Sequence, residues 1–310
     1  MALPEKCPLC GTDRRKQNVV TPHVYGDKDH NRAFYHCQEC DVRYQYPALS
    51  PEEEGRFYAA EFEGFMAGRS GTSGGWQSAE NHIRANEATR IRRMQYLTPH
   101  IFRGASILEV GCSSGFMLFP LKDSGHECVG IEPSGVFGEH VKKQGIAVYS
   151  SIEDLVKNEP ARQFDIIQHF FVLEHINALQ AFLESQLGLL KAGGKIIMEI
   201  PNAADPLYSV YEIPAFERFY WSIAHPWYFS ESSLRYLLDR LGQPYEILLD
   251  QRYDLSNHIV WARDGKPGGM GRFTAQLGSE IEEIYKNTLI KNRRCDTLIA
   301  IITKNGGIKQ

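Results

Sequence analysis

The stretch SILEVGCSSGFML, from Ser106 to Leu118, constrains the fold more than any other part of the 310-residue chain. A β-rich apolar run ends with the acidic Glu109, and Gly111 and Gly115 follow with small side chains between them. A strand, a glycine loop and a helix start in this order are typical of an open α/β sheet, whose ligands bind at the carboxyl ends of the strands. The loop is therefore predicted to border a ligand site.

The alternation of strand-like and helix-like segments continues after this loop. β-rich runs lie at 106–110, 127–131, 146–149, 164–169 and 195–200, and helical segments lie at 115–124, 134–144, 152–157 and 177–191. Such alternation predicts a parallel sheet with helices on both of its faces. Two further strands are predicted at 245–253 and 296–304, with a helix near 279–291 between them.

Three other segments complete the predicted organisation. A helix is predicted at 78–97, with its charged residues on one face and apolar residues on the other: Ile83, Ile91, Met94 and Leu97. The aromatic-rich segment 203–230 is predicted to loop over the top of the sheet. A capped amphipathic helix is predicted at 230–242.

Composition narrows the class of protein. The chain is 43% apolar and 23% charged, and its net charge of -4 gives no reason to expect a nucleic-acid partner. Its apolar runs are shorter than the roughly 18–20 residues that a membrane helix needs, and the first residues do not resemble a signal peptide. We therefore expect a cytoplasmic enzyme without membrane insertion.

Four of the seven cysteines form two C-x-x-C pairs separated by 26 residues: Cys7, Cys10, Cys37 and Cys40. This spacing is typical of a zinc site in which each pair lies on a tight turn and supplies two thiolates. A redox pair is the alternative, but it needs a βα context that is absent here. Since four cysteine ligands leave no open coordination position, the Zn²⁺ is interpreted as structural, although His23, His30 and His36 could compete as ligands.

These patterns divide the chain into three parts. Residues 1–47 form the predicted zinc-binding module, 48–77 a linker or helical connection, and 78–310 the α/β domain. Within the connection, Ser50 is a predicted N-cap, and 68–75 is a predicted flexible link.

The glycine loop differs from the loop that binds dinucleotides. It reads E-x-G-x-x-x-G, so the middle glycine of G-x-G-x-x-G is missing and Glu109 precedes Gly111. A carboxylate beside a pyrophosphate would be repulsive, whereas one beside a sulfonium cofactor with an amino-acid part is acceptable. Glu132, at the end of the next strand, could accept both ribose hydroxyls. Ser151 and the Ile152 backbone, after the third strand, could meet an adenine edge.

On these residues the chain resembles class I S-adenosylmethionine-dependent methyltransferases. The motifs are LEVGCSSG, IEPS, FDIIQHFFVLEHI and LKAGGKIIMEIPN, and the resemblance covers about residues 78–304. It implies a Rossmann-like, mostly parallel sheet whose last strand is antiparallel. It also implies that Gly111, Cys112 and Gly115 wrap the methionine part of the cofactor, Glu132 holds the ribose, and Ser151 and Ile152 flank the adenine. His169 and Phe170 would line the cofactor near its methyl group.

Cys112 is not expected to be a nucleophile. Methyl transfer in this family is a direct displacement on the sulfonium carbon, so it needs no cysteine intermediate. A general base is needed if the acceptor is a hydroxyl or an acidic carbon, and histidine suits neutral pH. His225 is the first candidate and His258 a weaker one, while His175 is expected to support the loop after strand four.

The acceptor is predicted from the second half of the chain. Arg252, Asn257 and Trp261 lie in one segment whose hydrogen-bonding and stacking side chains favour a polar ligand such as a sugar, unless the segment is a solvated hairpin with one packed tryptophan. Tyr228 is a further candidate for substrate binding. The zinc module and the segment HPWYFS are similar to bacterial nucleotide-sugar methyltransferases, where a glutamate often precedes the histidine. Here Ala224 stands in that place.

The predicted function is thus methyl transfer to a sugar or sugar-derived small-molecule acceptor, in nucleotide-sugar or surface-polysaccharide synthesis. The sequence leaves open whether oxygen or carbon is methylated, and it predicts no oligomeric state. Two alternatives remain. The acceptor could be a non-sugar metabolite, natural-product or quinone-like, because the aromatic segment could hold an apolar ring. In the other, the zinc module recruits a macromolecule and methyl transfer is secondary.

Overall fold

The structure is a computed structural model that describes residues 3–57, 64, 65, 68 and 78–306. The strands are β1 (Gln17–Thr21), β2 (Ala33–Cys37), β3 (Arg43–Tyr46), β4 (Ser106–Val110), β5 (Glu127–Ile131), β6 (Ala147–Tyr149), β7 (Phe164–Phe170), β8 (Leu190–Pro201), β9 (Trp227–Tyr228), β10 (Tyr245–Asp250) and β11 (Thr297–Thr303). The helices are α1 (Pro51–Arg56), α2 (Ala79–Ala85), α3 (Glu87–Leu97), α4 (Leu118–Asp123), α5 (Gly135–Lys143), α6 (Ile152–Asn158), α7 (Leu179–Leu189), α8 (Pro206–Ser209), α9 (Pro214–Tyr220), α10 (Glu231–Asp239), α11 (Leu255–Asp264), α12 (Thr274–Leu277) and α13 (Ser279–Lys291).

The larger sheet of the described residues has seven strands in the order β10-β11-β8-β7-β4-β5-β6. All neighbours pair in parallel except β11, which is antiparallel to both β8 and β10. Leucines of α7 and α10 pack on one face of the sheet, and α3 and α4 bury apolar side chains on the other. The predicted fold class, a Rossmann-like methyltransferase sheet with helices on both faces, is confirmed.

The register of the sheet brings the ends of its central strands together. Val110 of β4 is opposite Ile131 of β5 on one side and His169 of β7 on the other. The chain leaves β4 toward β5 and later returns to β4's other side as β7, so the order of strands reverses at this point. A crevice at such a switch point is where open α/β sheets bind their ligands.

The predicted helix at 78–97 is interrupted at Asn86, which separates α2 from α3. The side-chain amide of Asn86 donates to the His82 carbonyl (2.9 Å) and competes with the helical backbone bonds. The predicted division into a charged and an apolar face was also wrong in part. Ile91 is 53% exposed, whereas Arg93 is 6% exposed, because Arg93 pairs with a buried acid of the sheet.

Three other predicted segments differ in the structure. The helix before β8 ends at Leu189, and the strand begins at once, with Gly193 in a left-handed conformation (φ 76°). Segment 203–230 contains α8, α9 and β9 instead of a loop alone. The segment read as a possible hairpin forms α11, because Asp254 accepts from the Asn257 amide (2.8 Å) and caps the helix.

The cysteine-rich N-terminal segment completes its sheet with a strand from far along the chain. The second sheet has the order β1-β2-β3-β9, in which Tyr44 is opposite Trp227. Ser50 caps α1 as predicted, accepting from Glu53 N at 3.2 Å. The predicted flexible link lies, apart from residue 68, outside the described residues, and the boundaries of the three predicted parts remain predictions.

Candidate active site

A cavity of about 1460 Å³ opens at the carboxyl ends of β4, β5, β6 and β7. Segments beyond β8 close its other side: 201–225 and 252–270 both contribute to the wall. A pocket for one small ligand has roughly 300–1,000 Å³, so this cavity has room for a cofactor together with an acceptor.

The glycine loop forms one wall of the cavity in a conformation that its sequence permits. Gly111 has a φ of 72°, and a Cβ there would lie 2.8 Å from Val172. The carboxylate of Glu132 accepts from the Ser113 amide (2.7 Å) and the Ser134 amide (2.8 Å). Glu132 therefore ties the loops after β4 and β5 together, and it also lines the cavity.

Cys112 and Gly115 shape this loop from behind and do not line the cavity. The Cys112 thiol is 1% exposed, and its sulfur fills the space that a side chain at Gly130 would occupy. Burial raises the pKa of this thiol well above its usual range, so it is not a reactive thiolate. A Cβ at Gly115 would lie 2.7 Å from Phe119.

The two residues predicted at the adenine do line the cavity. Ile152 is buried, and the Ser151 hydroxyl caps α6 by accepting from Asp154 N (3.1 Å). His169 does not line it, which corrects the prediction that His169 and Phe170 both lie near the methyl group. Successive side chains of a strand point to opposite faces. Phe170 faces the cavity, while His169 is buried against Phe182 with ring centroids 5.5 Å apart.

Three buried carboxyl groups of the cavity wall have raised pKa values. Burial raises the pKa of Glu109 to about 8 despite the opposing attraction of Arg93, and burial raises that of Glu174 to about 8. Burial and the charge of Asp296 raise the pKa of Asp205 to about 8. A cationic ligand beside such groups would favour their charged forms. The wall is therefore suited to a positively charged ligand.

Two arginines of α3 balance another acid beneath the cavity. Glu199 of β8 is fully buried, and Arg93 and Arg92 of α3 both pair with it. Burial alone would raise the pKa of Glu199, but the two arginines outweigh it and hold the pKa at about 2. The guanidinium of Arg93 also lies 4.2 Å from the centre of the Phe170 ring. This network fixes α3 over the sheet and orients Phe170 toward the cavity.

His225 lies on the side of the cavity formed by the segment after β8. Its ring contacts the ring of His175 edge to face, with centroids 4.7 Å apart. His175 donates from Nδ1 to the Ala224 carbonyl (2.5 Å), which supports its predicted role in holding the loop after β7. The carboxylate of Glu174 lies within 4.8 Å of ring nitrogens of both histidines.

The predicted acceptor residues Arg252, Asn257 and Trp261 all line the cavity. The Arg252 guanidinium lies 4.1 Å from the Phe171 ring centre and 3.9 Å from Asp296. Within the described part of the chain it donates no hydrogen bond from its side chain. A polar acceptor could therefore use its donors.

Two predicted site residues lie elsewhere. Tyr228 is 1% exposed in an aromatic cluster, where its hydroxyl donates to the Tyr220 carbonyl and accepts from Ser222 N. His258 faces away from the cavity, 2.5 Å from the Tyr285 hydroxyl, and burial lowers its pKa to about 4. Because neither side chain reaches the cavity, the predictions of substrate binding by Tyr228 and catalysis by His258 are corrected.

The four predicted zinc ligands come together in the N-terminal segment. Cys7 and Cys40 have their sulfurs 3.8 Å apart, and Cys10 and Cys37 are at 3.6 Å. All four sulfurs lie within 4.8 Å of one another. These separations are too long for disulfides and close to the edge of a tetrahedron with bonds of about 2.3 Å to zinc. The cysteines thus fit a four-thiolate zinc site.

Sequence reasoning missed several residues of the wall. They include charged residues from distant elements: Glu54, Arg93, Glu174, Asp205 and Asp296. The aromatic residues of α9 that line the cavity, Phe216, Phe219 and Tyr220, belong to the segment predicted to hold an apolar ring in the non-sugar alternative. Two signals could have found some of the charged residues. The run of arginines in α3 was assigned to a solvated face, and the acid of the LEHI motif was left without a role.

Comparisons with known proteins agree with this geometry. Residues 81–243, just over half of the chain, match the sequence profile of a family described as a methyltransferase domain. A ubiquinone biosynthesis O-methyltransferase of Rhizobium etli is 27% identical over 110 residues, which cover 34% of this chain and 44% of that relative. One from Coxiella burnetii is 27% identical over 188 residues, 54% of this chain and 79% of its own length. The match to the first relative thus spans less than half of that protein.

Solved structures are similar at lower identity. A SAM dependent methyltransferase from Archaeoglobus fulgidus is 19% identical, with a TM-score of 0.48 over 71% of this chain and 94% of its own. The plantazolicin methyltransferase BpumL, solved in complex with SAH, is 15% identical, with a TM-score of 0.49 over 81% of this chain and 94% of its own. Among the described residues, no helix has the length and apolar character needed to cross a membrane.

Proposed function

Because the chain belongs to the methyltransferase domain family, we propose that it transfers the methyl group of S-adenosylmethionine to a small acceptor. The acceptor's electron pair forms the bond to the methyl carbon while the C–S bond breaks. The electron pair of the broken C–S bond stays on sulfur, so that S-adenosylhomocysteine leaves as a neutral thioether. Most of the rate in such a displacement comes from holding the two reactants in line and excluding water.

The observation that carries the cofactor assignment is the pair of acids, Glu109 and Glu132, on the side of the cavity that the glycine loop forms. Glu109 is 2% exposed, and its Oε2 has no hydrogen-bond partner among the described residues. Glu132 is held at the cavity by two loop amides. We assign Glu132 to the ribose hydroxyls, the wall at Ser151 and Ile152 to the adenine, and Gly111 to the methionine part. The cationic amino-acid and sulfonium end would compensate the charge of Glu109.

Calorimetry tests this assignment directly. S-adenosylmethionine and S-adenosylhomocysteine should both bind in the low-micromolar range, on the order of -8 kcal/mol. Replacing Glu132 with Gln should weaken both ligands, whereas Glu139→Gln, an exposed acid of α5, is the matched control. If neither ligand gives heat with the wild-type protein, the proposed function is wrong.

We propose a sugar or sugar-derived acceptor, in nucleotide-sugar or surface-polysaccharide synthesis. The polar groups of Arg252 and Asn257 beside the Trp261 ring support it, because sugars are bound by hydrogen bonds and by aromatic stacking. The Asn257 Oδ1 has no partner among the described residues, although its amide donates to Gly268 (2.7 Å).

A second acceptor class has its own support. The aromatic side chains of α9 line the cavity near Trp261, and ring centroids of Phe216 and Phe219 lie 5.1 and 5.2 Å from the indole. Such a wall also fits a phenolic or quinone-like ring, and relatives of this chain are named as ubiquinone biosynthesis O-methyltransferases. Uptake of labelled methyl groups from S-adenosylmethionine by nucleotide-sugars and by dihydroxybenzoates in parallel assays separates the two classes.

His225 is the proposed general base for the acceptor, supported by its position on the cavity wall. His225→Ala should abolish turnover and leave calorimetric cofactor binding unchanged. His258→Ala is the matched control, since that buried histidine lies away from the cavity. An unchanged rate in His225→Ala would remove His225 from the mechanism.

We propose that the four cysteines bind a structural Zn²⁺. The metal would supply folding energy, because a segment of this size builds only a small core by itself. The Cys37 sulfur also accepts from the Gln17 amide (3.6 Å), a contact that orients the ligand. Metal analysis should give zinc in the wild-type chain and its loss in Cys37→Ser, and a zinc-free wild-type protein would refute the proposal.

A further inference from the structure

A second group of potential metal ligands lies on the cavity wall, far from the four cysteines in sequence. Glu174 and His175 belong to the 3₁₀ turn Leu173–His175 after β7, and His225 comes from the segment before β9. One carboxylate oxygen and one nitrogen of each imidazole all lie within 4.8 Å of one another. All three residues line the cavity.

The carboxylate of Glu174 is the strongest sign that something binds here. The residue is fully buried, and neither of its oxygens has a hydrogen-bond partner among the described residues. Burying a polar group without a hydrogen-bond partner is costly, and burying a charged group is costlier still. Charged carboxylates in protein interiors are normally paired with a cation or coordinate a metal ion.

The environment of His175 matches that of a metal ligand. Its Nδ1 donates to the Ala224 carbonyl at 2.5 Å. That bond fixes the tautomer, so the lone pair is on Nε2. Histidines that bind metals usually donate their other ring N–H to a carbonyl or carboxylate in this way, which orients the ring. Ala224 directly precedes His225, so the same short segment positions both imidazoles.

We propose that Glu174, His175 and His225 bind a divalent first-row transition-metal ion on the acceptor side of the cavity. Two imidazoles and one carboxylate suit Zn²⁺, Co²⁺, Fe²⁺ or Mn²⁺. Ligand atoms within 4.8 Å of one another need only small side-chain movements to reach bonds of about 2.0–2.2 Å to a central ion. Three protein ligands leave coordination positions open to the cavity, unlike the four-cysteine site.

The ligand class of the acceptor follows, and this step rests on the proposed function. Open positions next to one another suit a chelating pair of oxygens, such as a vicinal diol of a sugar or a catechol. In the ion-bound protein the lone pair of His225 is committed to the ion. The ion would lower the pKa of the acceptor oxygen, whose proton would pass to solvent water. His225 would then hold the ion in place of the base role proposed above.

Mn²⁺ is the probe that separates this site from the cysteines, because manganese prefers oxygen and nitrogen ligands and does not displace zinc from thiolates. The full chain, with its zinc retained, is titrated with Mn²⁺, and the free ion is followed by electron paramagnetic resonance. A single Mn²⁺ should bind to the wild-type protein. In Glu174→Gln the dissociation constant should rise by at least about tenfold. Glu139→Gln, which alters an exposed acid of α5 that does not line the cavity, should bind Mn²⁺ as the wild type does.

Co²⁺ provides a second readout that does not depend on manganese affinity. Co²⁺ added to the zinc-loaded chain should give visible d–d absorption without sulfur charge-transfer bands, and His225→Ala should lose that absorption. Near-UV circular dichroism identifies variants that are folded. The proposal is refuted if neither ion binds to the wild type, or if folded Glu174→Gln and His225→Ala bind both ions unchanged. Calorimetric binding of S-adenosylmethionine to the same samples keeps the outcomes apart: cofactor binding without an ion refutes only the metal site.

Discussion

Replacing Gly130 with alanine should disturb the glycine loop from behind, on the side away from the cavity. A Cβ at Gly130 would lie 2.6 Å from the Cys112 sulfur and 3.4 Å from Leu118. Since ordinary contacts begin near 3.4 Å, the sulfur must move by nearly 1 Å. Cys112 is fully buried, and its amide donates to the Ile131 carbonyl (3.0 Å). Displacing Cys112 therefore shifts the glycine loop, which Glu132 holds through the amide of the next residue, Ser113.

The size of the effect follows from the packing. Forcing an extra carbon into a well-packed core costs about 1–3 kcal/mol, so Gly130→Ala should lower the free energy of unfolding by that amount. If about 1.4 kcal/mol of this cost falls on the ligand-binding conformation of the glycine loop, the affinity for S-adenosylmethionine falls tenfold. Cys112→Ala removes the clashing sulfur. The double variant Gly130→Ala with Cys112→Ala should therefore be more stable than Gly130→Ala alone.

The wild type, Gly130→Ala, Cys112→Ala and the double variant form a double-mutant cycle. Chemical denaturation gives the stability of each protein, and calorimetry gives its affinity for S-adenosylmethionine. The two substitutions should couple by about 1 kcal/mol or more, as expected for residues in direct contact. If their effects on unfolding are additive, the sulfur does not set the cost, and the packing argument for a glycine in β5 is wrong. Cys112→Ala should retain methyl transfer, because the thiol does not face the cavity.

Three further predictions concern other parts of the site. Glu109→Gln should flatten the pH dependence of stability of the cofactor-free protein. Since burial raises the folded pKa of Glu109 to about 8, the folded state keeps a proton that the unfolded state loses above about pH 4.3. Unfolding titrations should therefore show the wild type losing stability relative to Glu109→Gln as pH rises toward 8. Glu199→Gln should destabilise by about 3–5 kcal/mol, because Arg93 loses its buried partner. The pKa of Glu199 in the folded protein, about 2, is below its value in the unfolded chain. The stability difference between the wild type and Glu199→Gln should therefore be full above about pH 4.3 and vanish toward pH 2 in acid-unfolding curves. Gly269→Ala should weaken acceptor binding but not cofactor binding in separate titrations, because Gly269 lines the cavity and its Cβ would lie 2.3 Å from Val260, the neighbour of the wall residue Trp261. Equal loss of both ligands would contradict that separation.

The features that local sequence specifies were predictable. The glycine loop, the acid at position 132 and the two C-x-x-C turns depend on residues only a few positions apart, and each lies where its pattern indicates. In both cysteine turns a residue in the left-handed conformation follows the pair, Gly11 (φ 76°) and Asp41 (φ 62°). The alternation of strand-like and helix-like segments also predicted the parallel sheet. The antiparallel last strand, β11, was predicted from the family resemblance.

Side-chain direction could not be predicted from the same patterns. His169 and Phe170 are adjacent in a strand that is buried on both faces, so hydrophobicity does not tell which of them faces the cavity. Tyr228 and His258 carry the right chemistry but point into packed aromatic groups. Direction depends on which neighbours fill each side of the backbone, and those neighbours come from distant segments.

By itself, then, the sequence determined the fold class, the glycine loop and the cluster of four cysteines, because short-range backbone geometry decides each of them. Only the tertiary structure decided the electrostatics and the acceptor side. It places Arg93 of α3 on Glu199, more than a hundred residues away, and it brings Glu174 beside His225 from separate loops. The physical reason is that a buried charge is stable only with a partner, and chain folding alone determines which distant group becomes that partner.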